Sequence, residues 1–165
     1  MFRMLIVSDS HHDRDRLERI PAVCRAEKVD RVLHLGDNAS DGEELSCTCP
    51  VRVIYITGNC DPFAFNVPDE AWETVGADEY LMSHGHAYGV KRGLDALANH
   101  VRQLGLKGAF YGHTHQRSAG YVQGVYLLNP GALENGSACV VSVENGVLTP
   151  RFINVDDYYE SVETI

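Results

Sequence analysis

Excess positive charge is the first thing this sequence lacks. Its 14 basic residues stand against 23 acidic ones, a formal net charge of −9 over 165 residues. So acidic a surface repels nucleic-acid backbones and anionic membranes, so neither is expected as a stable partner. An anionic substrate is not excluded, because bound cations reverse the local field. Long apolar runs are missing too, and nothing approaches the roughly 20 residues that span a bilayer. The opening MFRMLIVSDS has no basic segment followed by an apolar one, as a secretory signal does. Cysteine is sparse and unpatterned. Cys24, Cys47, Cys49, Cys60 and Cys139 are an odd set, read as reduced thiols in the cytoplasm rather than a disulfide framework. Cys47 and Cys49 have no second pair to complete a zinc site. No repeat, low-complexity tract or long linker divides the chain. It reads as a single domain, residues 1–165, large enough for a core without disulfides.

What is present predicts an α/β fold. Residues 4–7 form a short apolar strand. Residues 13–28 place Leu17, Ile20, Val23 and Cys24 at helical spacing, despite Pro21. Residues 31–35 and 51–57 read as further strands, so the alternation favours parallel strands at the start of the sheet. Residues 71–75 and 79–83 suit a hairpin. Residues 90–104 carry Val90, Leu94, Leu97, Val101 and Leu104 on one helical face. Residues 109–111, 125–128, 140–143 and 147–154 read as short strands, with Asn145-Gly146 as a hairpin turn. Residues 156–165 are acidic and expected to be loosely held.

One regularity stands above the rest. Five apolar strands end in metal-capable residues: Asp9-Ser10-His11, Gly36-Asp37-Asn38, Gly58-Asn59-Cys60-Asp61, Ser83-His84-Gly85-His86 and Gly112-His113-Thr114-His115. Ligands of parallel α/β sheets bind beyond the carboxyl ends of strands, so these termini are expected to meet at one rim. The metal candidates are Asp9, His11, Asp37, Asn59, His84, His113 and His115. Carboxylates, an amide oxygen and imidazoles suit manganese, iron or zinc rather than calcium or copper(I). Seven donors exceed the need of one tetrahedral ion. Two ions sharing a carboxylate use them all.

In this order the motifs D-x-H, G-D, G-N-[HC]-[DE], H and G-H-x-H resemble those of the calcineurin-like metallophosphoesterase superfamily. The likeness runs over residues 4–152. Compact length, the GNCD form, Ser83-His84-Gly85-His86 and Asn129-Pro130-Gly131 are similar to its small bacterial and archaeal phosphodiesterase branch. The resemblance implies a four-layer α/β/β/α sandwich of two mixed sheets flanked by helices. It implies one metal on Asp9, His11, Asp37 and His115, and another on Asp37, Asn59, His84 and His113, with Asp37 bridging. It also implies a metal-dependent phosphodiesterase acting on small phosphodiester or phosphomonoester substrates, with manganese expected and nickel, iron or zinc as alternatives. Two ions about 3.5–4 Å apart would acidify a bridging water, and the hydroxide would attack phosphorus in line.

Asp37, Asn59, His84 and Asp61 are the candidate catalytic residues, with Asp61 a candidate partner for a ligand imidazole or a proton donor. Asn38 and His86 are the candidates for substrate contact. Many superfamily members have histidine where Cys60 stands. A thiol with a pKa near ~8.5 replaces an imidazolium acid poorly, so the leaving-group acid is unassigned. His12 reads as a surface or helix-start residue, His34 as a packed histidine, His100 as solvated, and Trp72 and Tyr88 as packing residues. A non-catalytic scaffold of the retromer type is the competing reading, opposed by the intact set of seven donors. Self-association is left open.

Overall fold

The computed structural model describes residues 1–159. Among them ten strands build two five-stranded sheets. Strand β1 (Phe2–Val7) leads into helix α1 (Arg14–Glu27). Strand β2 (Arg31–His34) pairs parallel to β1, helix α2 (Ala39–Thr48) follows, and β3 (Arg52–Tyr55) pairs parallel to β2. The second sheet holds β4 (Glu70–Val75), β5 (Asp78–Ser83), β6 (Gly108–Phe110), β7 (Arg117–Val122) and β8 (Val125–Pro130), with helix α3 (Asp95–Gln103) between β5 and β6. The hairpin of β9 (Ser137–Glu144) and β10 (Val147–Asn154) returns to the first sheet, where β9 lies antiparallel to β1. The orders are β10-β9-β1-β2-β3 and β4-β5-β6-β8-β7.

The layering follows from the two-residue period of a strand, which sends alternate side chains to opposite faces. Leu5 and Val7 of β1 pack outward with Leu17, Ile20 and Val23 of α1 and Leu45 of α2. Met4 and Ile6 pack inward, against Met82, Phe110 and Leu128 of the second sheet. On that sheet's far side, Leu81, Ala109 and Leu127 cover Leu97 and Val101 of α3. Three cores between four layers give the expected α/β/β/α sandwich. Strands buried on both faces explain why β1 and β8 read as nearly continuous apolar runs.

Several local expectations are corrected. The helix expected over 90–104 begins only at Asp95, because Gly93 sits at φ 154°, outside helical backbone. Val90 is still buried and Leu94 half-buried, but Leu104 is exposed. Helix α2 carried no apolar period, since Leu45 is its one large buried residue. Edge strand β7 is mostly exposed and shows no alternation. Residues 156–158 are tied down rather than loose: Asp156 accepts from Arg16 (2.9 Å) and the Tyr158 hydroxyl donates to Glu27 (2.5 Å). Residues 160–165 of that expectation lie outside the described residues. Trp72 is largely exposed on β4 instead of packed. His100 is not solvated but stacks on Tyr88, with ring centroids 4.6 Å apart. No helix among the described residues is long and apolar enough to cross a membrane.

Candidate metal centre

The carboxyl ends of β1, β2, β3, β5 and β6 converge at one rim. There the structure brings together Asp9, His11, Asp37, His84, His113 and His115. Donor atoms of Asp9, His11 and His115 lie within 4.8 Å of one another, and so do those of Asp37, His84 and His113. Each carboxylate keeps one oxygen on the scaffold and turns the other inward. Asp9 Oδ2 accepts from Ser8 Oγ (2.7 Å) and the His113 amide (3.0 Å). Asp9 Oδ1 faces His115 Nε2 at 3.1 Å, His84 Nε2 at 3.7 Å and His11 Nε2 at 3.8 Å. Asp37 Oδ1 accepts the Cys60 amide (3.0 Å), while Oδ2 lies 3.3 Å from His84 Nε2 and 3.6 Å from His11 Nε2.

The fit to cations is tested by what these atoms lack. Asp9 Oδ1, His11 Nε2 and His84 Nε2 are buried without a hydrogen-bond partner. Buried polar atoms are rarely left so, because each costs the desolvation of an unmade bond. His84 Nδ1 donates to the Leu35 carbonyl (2.8 Å), which leaves the Nε2 lone pair pointing at two carboxylate oxygens. Lone pairs facing lone pairs need positive charge between them. The titration behaviour agrees. Burial opposes ionisation of Asp37, yet the nearby His84, the Cys60 amide and His11 hold its carboxyl well below the usual range. Burial also disfavours charge on His84, but Asp37 and Asp9 push its pKa up. A divalent cation supplies the charge that a proton otherwise brings.

The backbone is strained where the donors stand. Asp9, His11, Asp37, His113 and His115 all have φ between 45° and 71°, which side-chain-bearing residues rarely adopt. Two glycines let carboxylates approach the chain. A Cβ on Gly58 would meet Asp37 Oδ1 at 2.2 Å, and one on Gly112 would meet Ser8 Oγ at 2.1 Å and Asp9 Oδ2 at 2.7 Å.

The remaining candidates lie at the edge. Asn59 is exposed, its amide nitrogen 3.6 Å from Cys60 Sγ. The Cys60 thiol comes within 4.8 Å of donors on His11 and Asp37, and burial followed by the Asp37 charge raises its pKa. His86 is exposed, with its ring centroid 5.5 Å from that of His84 and 6.1 Å from that of His113. Burial and the neighbouring His84 lower its pKa. Asp61 does not touch an imidazole as expected. Its oxygens accept the amides of Ala39 (2.8 Å) and Gly58 (2.7 Å), which pins the Gly58–Asp61 turn to the start of α2.

Sequence reasoning missed the supports. His34 is fully buried and accepts the Gly36 amide on Nδ1 (3.2 Å), so its Nε2 donates to Ser10 Oγ (2.8 Å). Ser10 donates to Asp41 Oδ2 (2.7 Å), and Asp41 Oδ1 accepts from His12 Nδ1 (2.8 Å). Asn38 then donates to His12 Nε2 (2.8 Å). This chain of bonds runs from the sheet interior to the rim and holds Asn38 in a left-handed conformation, φ 67°. Asn129 braces the other side by donating to the Gly112 carbonyl (3.1 Å) and Thr114 Oγ1 (2.9 Å). Glu134 faces His115 Nδ1 at 3.2 Å. Asn129 was flagged by its Asn-Pro-Gly motif; Glu134, well beyond the last motif histidine in sequence, carried no signal.

Residues 2–146 match the model of the calcineurin-like phosphoesterase superfamily domain. The chain is 32% identical over 157 residues to the probable metallophosphoesterase YsnB of Bacillus subtilis, covering 90% of this chain and 89% of that one. Its fold is similar to that of a predicted phosphoesterase from Streptococcus pneumoniae, with TM-score 0.78, 22% identity, and coverage of 98% of this chain and 94% of that one. It is also similar to an archaeal phosphodiesterase, with TM-score 0.75, 19% identity, and coverage of 92% and 100%. The protein belongs to the calcineurin-like phosphoesterase superfamily. Within that superfamily it is a metal-dependent hydrolase of phosphate esters.

Proposed function

We infer that the chain is a phosphodiesterase working with two divalent ions, manganese first among the candidates and nickel, iron(II) or zinc behind it. The observation that carries this reading is the set of buried, partnerless donors, Asp9 Oδ1, His11 Nε2 and His84 Nε2, aimed at one another. In the proposed division Asp9, His11, Asp37 and His115 hold one ion. Asp37, Asn59, His84 and His113 hold the other.

Divalent ions bound there would acidify water to supply the nucleophile and would neutralise charge on the phosphoryl oxygens. The chain does the positioning. Asp37 is shared and anchored through the Cys60 amide. His84 is aimed by its bond to Leu35. Asn38, held by His12, and His86 flank the opening, where they meet the phosphoryl oxygens and ester arms. Neither Cys60, Asp61 nor His86 is a strong proton donor. Burial and the Asp37 charge raise the pKa of the Cys60 thiol, Asp61 is occupied by backbone amides, and burial lowers the pKa of His86. Esters with good leaving groups are therefore the favoured substrates. The odd, scattered set of five cysteines supports a reducing compartment, the cytoplasm.

The test is hydrolysis of bis(p-nitrophenyl) phosphate by purified protein with Mn²⁺, with chelator, and by Asp37→Ala. The expected result is turnover that chelator stops and the substitution lowers by at least a thousandfold. Turnover indifferent to both would overturn the reading.

A further inference from the structure

The turn after Asn59 divides the rim into two grooves. On one side a groove of about 540 Å³ is lined by Asn59, Asp69, His86 and Tyr88 among others. On the other, a groove of about 400 Å³ runs from Asn38, Ala39 and Cys60 to Phe63 and Phe65. Asp61 and Pro62 line both and form the ridge between them. The second groove is continuous with the metal centre through Cys60, whose sulfur is within 4.8 Å of donors on Asp37 and His11.

Phe63 and Phe65 are 82% and 85% exposed, more than Trp72 or Tyr121. Their rings meet edge to face, with centroids 6.4 Å apart and planes at 74°. They stand on a braced loop. Asp61 ties its base to Ala39 and Gly58, and backbone bonds from Ala64 to Asp61 and from Val67 to Ala64 continue the turns. Two large apolar side chains held in water, three and five residues beyond Cys60, lose nothing by meeting a flat apolar partner. Glu43 on the groove wall and the net charge of −9 oppose a further phosphate there. An uncharged ring does not meet that opposition.

Resting on the phosphodiesterase reading, we propose that Phe63 and Phe65 are specificity-determining residues that receive a planar, uncharged ring on the ester arm retained after cleavage. The ring comes from an aryl group or from a nucleobase, and stacking on aromatic side chains tolerates either.

The experiment compares three p-nitrophenyl phosphodiesters whose second arm is methyl, phenyl or 5′-thymidine, using Mn²⁺-loaded wild type and Phe63→Ala/Phe65→Ala. Both side chains are exposed, so the double variant keeps its fold. Wild type is expected to prefer the ring-bearing arms. The double variant should lose about tenfold or more in kcat/KM on those, chiefly through KM, and under twofold on the methyl ester. A loss on thymidine alone assigns the nucleobase, and an equal loss on phenyl assigns any ring. No ring preference in wild type, or an unchanged preference in the variant, overturns the proposal. If wild type cleaves none of the esters, the phosphodiesterase reading fails separately. Calorimetry with thymidine 5′-methylphosphonate then still decides the platform, through tenfold weaker binding to the double variant or unchanged binding.

Discussion

Glu134 Oε1 stands 3.2 Å from His115 Nδ1, and the same imidazole turns Nε2 to within 3.1 Å of Asp9 Oδ1. A carboxylate on the far nitrogen fixes the tautomer and makes the near nitrogen a better ligand. Glu134→Gln keeps the shape and removes the charge. It should weaken Mn²⁺ binding by about 10–100-fold, while kcat at saturating metal changes less than KM for the metal. Calorimetric titration of the metal-free protein checks this, and an unchanged isotherm would show that Glu134 does not support the site.

Gly112, two residues beyond β6, is where the chain passes the first carboxylate. A methyl there would meet Ser8 Oγ at 2.1 Å and Asp9 Oδ2 at 2.7 Å. Because Ser8 and Asp9 are fully buried, the displaced atoms have no free space to enter. Gly112→Ala is expected to cost about 1–3 kcal/mol of stability and to weaken metal binding. Gly120→Ala, whose added methyl would point into open space, should do neither. Urea unfolding of the two variants side by side separates the outcomes.

His34 makes the fold sensitive to acid. Burial lowers its pKa from the ordinary 6.5 to about 4, although Asp41 and Asp9 pull the other way. Above pH 6.5 the ring is neutral in both native and unfolded chains. Between 6.5 and about 4 the unfolded chain takes up a proton that the native chain refuses, so stability falls as pH falls. The loss approaches about 3 kcal/mol near pH 4, since the slope over that interval is about 1.4 kcal/mol for each step of one in pH. Urea midpoints of metal-free protein against pH should show this limb, and His34→Asn should flatten it. A variant with the wild-type slope would assign the acid limb to other groups.

Cys60 leaves departing oxygens without a proton donor at that position. The rate should therefore depend steeply on the leaving group's own acidity. Cys60→His offers an imidazolium, worth about a hundredfold or more where protonation limits the rate. The expected result is a flatter dependence, with a gain of at least tenfold for alkyl leaving groups and little change for p-nitrophenolate. Parallel lines for the two proteins across a series of leaving groups would show that the acid comes from elsewhere.

The α/β class was legible because β1, β2 and β3 are short apolar runs with a clear helix signal between the first two, and that order admits few topologies. The strand-end clusters were legible for a related reason: Asp9, Asp37, His84, His113 and their glycines sit where a buried strand must stop, so chemistry and punctuation coincide. Helix α2 and strand β7 were not. Leu45 alone anchors α2, and β7 faces solvent at a sheet edge, so neither leaves a periodic mark.

Local pattern alone determined the residue types available for metal binding, the expectation that they share a rim, and the α/β class. Tertiary structure decided which atoms do what. Only the packed chain turns Asp61 away from the imidazoles to the amides of Ala39 and Gly58, and sets Glu134 behind His115. Only the packed chain joins His34, Ser10, Asp41 and His12 into a line that holds Asn38, through bonds that cross 24 to 31 positions of sequence. No local pattern encodes such bonds, because hydrogen-bond partners are chosen by distance after the cores have closed.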